Sequence, residues 1–490
     1  MSRKAYKWIW LLMAVALLAA AGQFQRLLNR QRTSPEIGLS RMADLGSNAP
    51  PVLAFTTVAL GGFRGIIANI LWIRANELQN NGKYFEMVQL ADWITKLQPT
   101  FTQVWVVQAW NMAYNISVKF SDPADRWRWV QRGIELLRDH GLRYNPGASL
   151  MYRELGWFYQ HKMGQNLDDA HKFYKASWAR EMTAVFGGPR PNFEELRRPT
   201  TPDAERRVHL LREKYKMDPA IMEEVDKLYG PLEWRLPEAH AIYWAAVGLK
   251  NCKDGDLITI RRVIYQSTLI SVIRGRILYF EADGTPVTAP NLDRVARASE
   301  TYLRLSAEDT EQPYAIRNAH QIFLREMVYH FYTHSREAEA EKWFKLLKQL
   351  YPDVVPGNPT MEEFAVQRFT QNIENLSGDR MMVILTGLLS QYYISLALDE
   401  DKRADGFARM AGHLYQYNEE RIRLRRKPLE IPPLEEIKKT WLNQMLNPNT
   451  GLLPMEMIVR LRTRLNLPAG QTPNETGGEA KPSATAEVKP

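Results

Sequence analysis

Sulfhydryl chemistry is almost missing from this 490-residue chain, which holds one cysteine, Cys252. An intrachain disulfide and a cysteine-based metal cluster are therefore both excluded. A reducing compartment fits, and so does a bacterial periplasmic chain that avoids thiols. Nucleotide and catalytic signatures are missing too. The chain contains no Walker loop, Rossmann glycine fingerprint, nucleophile elbow or zinc-protease motif, and no RRM, KH or zinc-finger pattern. The apolar run nearest the N-terminus falls short of the roughly twenty residues that comfortably span a bilayer.

What is present is ordinary in bulk. Hydrophobic residues make up 45% of the chain and charged residues 24%, within the range of folded globular proteins. Fourteen tryptophans point to substantial packed cores, because each large ring buries much apolar area. The net charge of +9 suggests an anionic neighbour, either nucleic acid or anionic membrane, at a modest charge density for this length.

The N-terminus is an export signal. Arg3, Lys4 and Lys7 precede an apolar run from Trp8 to Gly22. Ala19-Ala20-Ala21 would serve for cleavage, but Gln23, Phe24, Leu27 and Leu28 carry an amphipathic pattern past that point. The preferred reading is an uncleaved single-pass anchor with its N-terminus in the cytoplasm, Trp8 and Trp10 sitting at the interface. Cleaved secretion and an ordinary buried helix of a cytoplasmic protein are the alternatives. A second apolar stretch, Pro51 to Ala75, carries Arg64 and Asn69, which are costly in lipid. It is expected to be a buried helix of a first repeat.

Between Gly82 and Pro99 the chain has a turn glycine, aromatic residues, small or apolar residues at helical spacing, and a terminating proline. Leu71, Ala75 and Leu78 mark the helix before it, and Met87, Ala91 and Ile94 the helix after it. A second unit places Trp105, Ala109 and Met112 on one helix and residues 126–143 on the next, ending at Pro146. Here Arg138 replaces the usual apolar residue. A third pairs Tyr152, Leu155, Gly156 and Tyr159 with Asp169, Ala170, Phe173 and Tyr174. A fourth pairs Leu324, Val328 and Phe331 with Ala340, Phe344 and Leu347, closed by Pro352. A fifth hairpin is expected from Met381 to Tyr417, through Gly387 and Ala408.

These units resemble the tetratricopeptide repeat (TPR) superfamily over residues 68–182 and 321–354, and more weakly over 381–417. The segment from Leu60 to Arg74 and the repeat after it also resemble uncharacterised membrane-anchored bacterial TPR-like proteins. The resemblance implies a right-handed α-solenoid whose concave face, lined by the first helix of each unit, binds peptides or partner domains.

Between these repeats lies an insert. Asp203 to Lys216 is a charged helix, Asp218 caps a helix from Pro219 to Tyr229, and Pro237 to Leu249 pairs with Asp256 to Gly275. Ile277 to Thr288, centred on Asp283-Gly284, is a β-hairpin whose second strand Pro286 keeps short or at an edge. The expected division is a signal-anchor over 1–32, a tether over 33–51, TPR-like repeats over 52–182, the helical insert with its hairpin over 183–310, TPR-like hairpins over 311–467, and a disordered tail over 468–490.

Several residue groups imitate chemical sites. Glu326, His330 and His334 fall four apart on one helix, but without a metalloprotease pattern they are expected to be exposed or hydrogen-bonded helix histidines. Asp168-Asp169 and Asp399-Glu400-Asp401 are expected at helix-hairpin turns, favouring the next helix N-terminus. The basic run Arg421 to Lys427 follows Glu419 and Glu420 and is expected to be a solvated helix face, as opposed to a phosphate or lipid contact.

The fold expected is all-α: a TPR-like α-solenoid with an N-terminal membrane anchor and a small β-hairpin insert. The function expected is a non-enzymatic scaffold at the bacterial inner membrane, its bulk periplasmic, binding a protein or peptide partner. It needs no cofactor and no metal. Gln79, Trp110, Asn111 and Asn115 are the expected partner-binding residues, as exposed groups on first helices. The alternatives are an envelope polysaccharide-handling or hydrolytic protein with an aromatic groove, and a basic cytoplasmic nucleic-acid binder.

Overall fold

The computed structural model describes residues 63–252, 256–370, 378–423 and 431–468, with a few helical positions between 13 and 28. The expected anchor, tether and tail, and positions 424–427 of the basic run, lie wholly or largely outside the described residues. No helix among the described residues is long and apolar enough to cross a membrane. The chain divides into two compact units, Met1–Val104 and Trp105–Pro490.

In the first unit, α1 (Phe63–Asn80) and α2 (Tyr84–Leu97) form a helical hairpin. Gly82 makes the turn at φ +70°, a conformation only glycine adopts freely. Ala75 and Leu78 bury against Met87, Ala91 and Ile94, each 3% exposed or less. The small alanines let the helices approach closely. Gln98 ends α2 ahead of Pro99, its amide bonding Ile94 O. One expectation fails here. Of the stretch Pro51 to Ala75, positions 51–62 lie outside the described residues, and the part from Phe63 on is not uniformly buried, because Phe63, Ile66, Ile70 and Ile73 form an apolar stripe on α1, each 57–70% exposed. The buried stripe of α1 is instead Ala68, Ala75 and Leu78.

Among its described residues the second unit consists of helices and their connecting loops, apart from one two-stranded sheet. From α3 (Thr102–Trp110) the chain runs through α4 (Pro123–Glu135), α5 (Ser149–Trp157), α6 (His171–Phe186), α7 (Pro202–Glu213), α8 (Pro219–Tyr229), α9 (Pro237–Asn251) and α10 (Leu257–Ile273). After the sheet come α11 (Val295–Glu308), α12 (Pro313–Thr333), α13 (Glu337–Leu350), α14 (Met361–Thr370), α15 (Gly378–Ala397), α16 (Asp401–Arg423), α17 (Leu434–Leu446) and α18 (Met455–Arg464). Proline opens α4, α7, α8, α9 and α12, where its missing N–H is not needed and its φ suits the first turn. Asp122, Thr201 and Asp218 cap α4, α7 and α8 by accepting backbone amides.

Neighbouring helices pair as α9 with α10, α11 with α12, α12 with α13, and α15 with α16. The expected packing of Leu324, Val328 and Phe331 with Ala340, Phe344 and Leu347 is present, each side chain 4% exposed or less. One apolar core extends from Trp105 to Leu461. Cys252 lies within it at 4% exposure, and burial raises its thiol pKa. Arg294 is also buried, at 1% exposure, and donates to Ser271 O at 2.8 Å and to Tyr229 O, tying the ends of α8 and α10 together.

The sheet pairs β1 (Arg276–Phe280) antiparallel to β2 (Pro286–Ala289), with Arg276 opposite Ala289 and a bulge between Ile277 and Tyr279. Gly284 turns at φ +85°, and Pro286 stands first in its short strand.

The crossing of α5 with α9 and α10 depends on two glycines. A Cβ on Gly248 would stand 2.6 Å from the Tyr152 Cβ, and one on Gly156 would stand 2.7 Å from Val263 Cγ1. Neither contact leaves room for a methyl. Gly248→Ala is therefore expected to destabilise the protein by about 1–3 kcal/mol, read as a lower urea midpoint at unchanged slope.

Candidate functional site

Three helices of the second unit change register part-way along. Residues Asn111–Ile116, Leu136–Gly141 and Phe158–Met163 are π-helical, directly continuing α3, α4 and α5. The wide turn appears in the backbone: Ser117 N bonds Met112 O, Leu142 N bonds Leu137 O, and Gly164 N bonds Tyr159 O. Such turns are rare and concentrate at functional sites.

Two of these segments are copies of one design. Tyr114 and His161 are 47 residues apart, and α3 and α5 start and end at that same interval. Each copy ends its α-helix on a tryptophan and stacks it on the ring four residues later. Trp110 lies 4.1 Å from Tyr114 at 17°, and Trp157 lies 4.4 Å from His161 at 15°. Phe158 stands edge-on to both rings of the first pair, at 6.2 and 5.7 Å. Trp110, Tyr114, Trp157 and His161 are all half-buried, so the stacked rings keep an open side. The 47-residue interval exceeds the roughly 34 residues of a TPR unit.

Side-chain bonds join the two copies into a ladder. Trp110 Nε1 donates to Glu154 Oε2 at 2.6 Å, and the Tyr114 hydroxyl and His161 Nδ1 share a bond at 3.1 Å. Glu154 is 2% exposed and also pairs with Arg153. Burial, then the Glu154 charge, pushes the Tyr114 phenol pKa up, so the phenol stays neutral. Burial, then Lys162, pushes the His161 pKa down, so the imidazole is neutral at pH 7 as well. The ladder is a row of neutral rings with polar edges. That suits contact with peptide groups and flat apolar surfaces, since each ring offers a face and a hydrogen-bonding rim.

Beneath it lies a buried ion pair. Lys162 Nζ sits 2.6 Å from Asp168 Oδ2, both side chains 4% exposed, and lies 5.0 Å over the Tyr114 ring. Asp168 also accepts from Arg126 at 2.9 Å, the Ala170 amide at 2.9 Å and the Tyr174 hydroxyl at 3.0 Å. Burial alone would raise its pKa, but the Lys162 and Ala170 bonds hold it at about 2.

The four expected contact residues divide unevenly. Trp110 is a rung of the ladder, and Asn115 is half-buried beside it. Asn111 was expected to be exposed; it is 1% exposed and accepts from Asn115 Nδ2 at 3.3 Å. As the first residue of a π turn, it faces inward and supports the face without presenting to it. Gln79 is half-buried on α1, in the other unit. Tyr114, Glu154, Trp157, His161 and Lys162 were missed. The Trp-x-x-x-ring pattern at Trp110 and again at Trp157 is the signal for Tyr114, Trp157 and His161, while Glu154 and Lys162 carry none. Phe173, expected in repeat packing, is 36% exposed because Tyr174 takes the inward position.

The other candidate groups have local roles. His334 is 7% exposed, so it is hydrogen-bonded but not exposed, its Nδ1 2.7 Å from His330 O. Burial lowers the pKa of both histidines, to about 4 for His330 and about 3 for His334. No cluster of three or more His, Cys, Asp or Glu residues among the described ones is placed to hold a metal. Glu400 pairs with Arg276 and Arg403 beside the start of α16. Comparison with protein-family models, with curated proteins and with solved structures finds no match to this chain.

Asp168→Ala would strand Lys162 in the core, an expected loss of about 3–5 kcal/mol in urea unfolding. The acid dependence has a definite sign. Asp168 in the folded chain titrates below its ordinary value, so its stabilisation is full above about pH 4 and is lost as pH falls toward about 2. The stability gap between wild type and Asp168→Asn should close across that window.

Proposed function

We propose that this chain is a non-enzymatic scaffold of the bacterial envelope, tethered to the inner membrane by its N-terminal segment. Its helical hairpins form a TPR-like α-solenoid that grips a protein partner on one face. The observation that carries this reading is the ring ladder of Trp110, Tyr114, Trp157 and His161, repeated across two successive units and left half open. Preformed rings on rigid helices lose little freedom when they bind, which favours recognition of an extended peptide or a partner helix.

The ladder also favours one second reading, a glycan-handling envelope protein, because stacked aromatic rings suit sugar faces as well. That reading would need two carboxylates converging on an open pocket. Glu154, the carboxylate at the ladder, is buried and committed to Trp110 and Arg153.

Crosslinking from intact bacterial membranes, followed by capture of the full chain, tests the proposal. Wild type is expected to recover a defined partner from the membrane fraction. Trp157→Ala, folded by circular dichroism, is expected to lose about 2 kcal/mol or more of binding to the purified partner, roughly thirtyfold in Kd. Equal recovery by wild type and Trp157→Ala would remove the ladder from the interface. Recovery of the chain in the soluble fraction would remove the tether.

A further inference from the structure

The β-hairpin has no place in a plain stack of helical hairpins, and it walls a cleft of its own. About 200 Å³ of space opens between the start of α6, the start of α9, the end of α10 and the strands. His171, Lys172 and Lys175 line it from α6, Glu238 from α9, Arg274 from the end of α10, and Thr285 and Thr288 from the hairpin side. An ion pair between Lys172 and Glu281 at 3.2 Å fastens the hairpin to α6 at this edge.

The charges in the cleft do not balance. Glu238, 4% exposed, pairs with Arg274 at 3.1 Å, and Glu281 is engaged by Lys172. Lys175 is left with neutral partners, Asn166 Oδ1 at 2.6 Å and His171 Nδ1 at 3.3 Å. No carboxylate among the described residues pairs with it. Burial, then the positive Arg274, holds its pKa at about 8, well below an ordinary lysine, with the charge of the buried Glu238 opposing them only in part. Two cations thus face one small cavity with a single buried acid between them. An ammonium and a guanidinium so placed favour an anion that accepts from both.

We propose that this cleft binds a small oxyanion, a phosphate group either free or as a monoester, held between Lys175 and Arg274, with Lys172 at the mouth. The hairpin is the wall that turns a surface groove into a pocket. The site is separate from the ring ladder and stands whether or not that ladder grips a protein.

Inorganic phosphate and glycerol 1-phosphate, each titrated at millimolar concentration against the full chain in detergent, are the probes, with acetate as control. Phosphate is expected to raise the melting temperature in a saturable way. Lys175→Met should weaken the fitted affinity about tenfold or more, Lys175→Arg should largely restore it, and Lys172→Met should weaken it less. Lys172 is exposed, so its variant keeps the test decisive if Lys175→Met fails to fold. Tighter binding of glycerol 1-phosphate assigns a monoester ligand, and binding of inorganic phosphate alone assigns the free ion. The proposal is overturned if neither phosphate shifts the melt, if acetate does so equally, or if the lysine variants respond as wild type does.

Discussion

A carboxylate out of water is the constraint on which the second unit's binding face depends. Asp168 is nearly inaccessible, yet four donors reach it, from α4, from the π segment after α5, from its own turn and from α6. Desolvating an ion pair costs several kcal/mol per charge, and only full hydrogen bonding offsets it. That requirement is geometric. Lys162 must sit where Asp168 can be reached, which fixes the register of the π segment carrying His161 and sets the tilt of the stacked pair it forms with Trp157. The same ammonium lies over the Tyr114 ring and so reaches the preceding copy of the motif. One buried charge therefore aligns two successive rows of rings.

The hairpin beside α6 extends the same logic. Polar groups packed between helices need partners, and the chain supplies them by crossing elements. Arg294 bonds the ends of α8 and α10, Arg126 reaches Asp168, and Lys172 reaches Glu281. Close helix crossings at Gly156 and Gly248 leave little slack for these groups to relax. Packing and polar satisfaction are fixed together, since a shift in one would unmake the other.

How far the sequence disclosed this fold follows from which signals are local. Apolar spacing located α1 with α2 and α12 with α13, because those hairpins obey a 3.6-residue period. Asp218 before Pro219 announced α8, and Asp283-Gly284 announced the β-hairpin, since caps and turns are written in adjacent residues. The π segments were not legible, because an i to i+5 register carries no distinctive apolar period. That hides Tyr114 and His161 and makes Asn111 read as an outward residue. The stripe of Phe63, Ile66, Ile70 and Ile73 misled in another way. Hydrophobicity predicts burial on average, but periodicity alone does not say which of two apolar faces is covered. The partners of Asp168 come from residues up to 42 positions away, beyond any local pattern.

The lone thiol, sealed in the core with its proton held, has a practical corollary. A maleimide dye or nitroxide spin label needs an accessible thiolate, and Cys252 offers neither access nor charge. A cysteine introduced at an exposed position such as Glu205 would thus be tagged without background and without first deleting the native one. Distance spectroscopy between such tags would follow the movements of individual helices in the otherwise native chain.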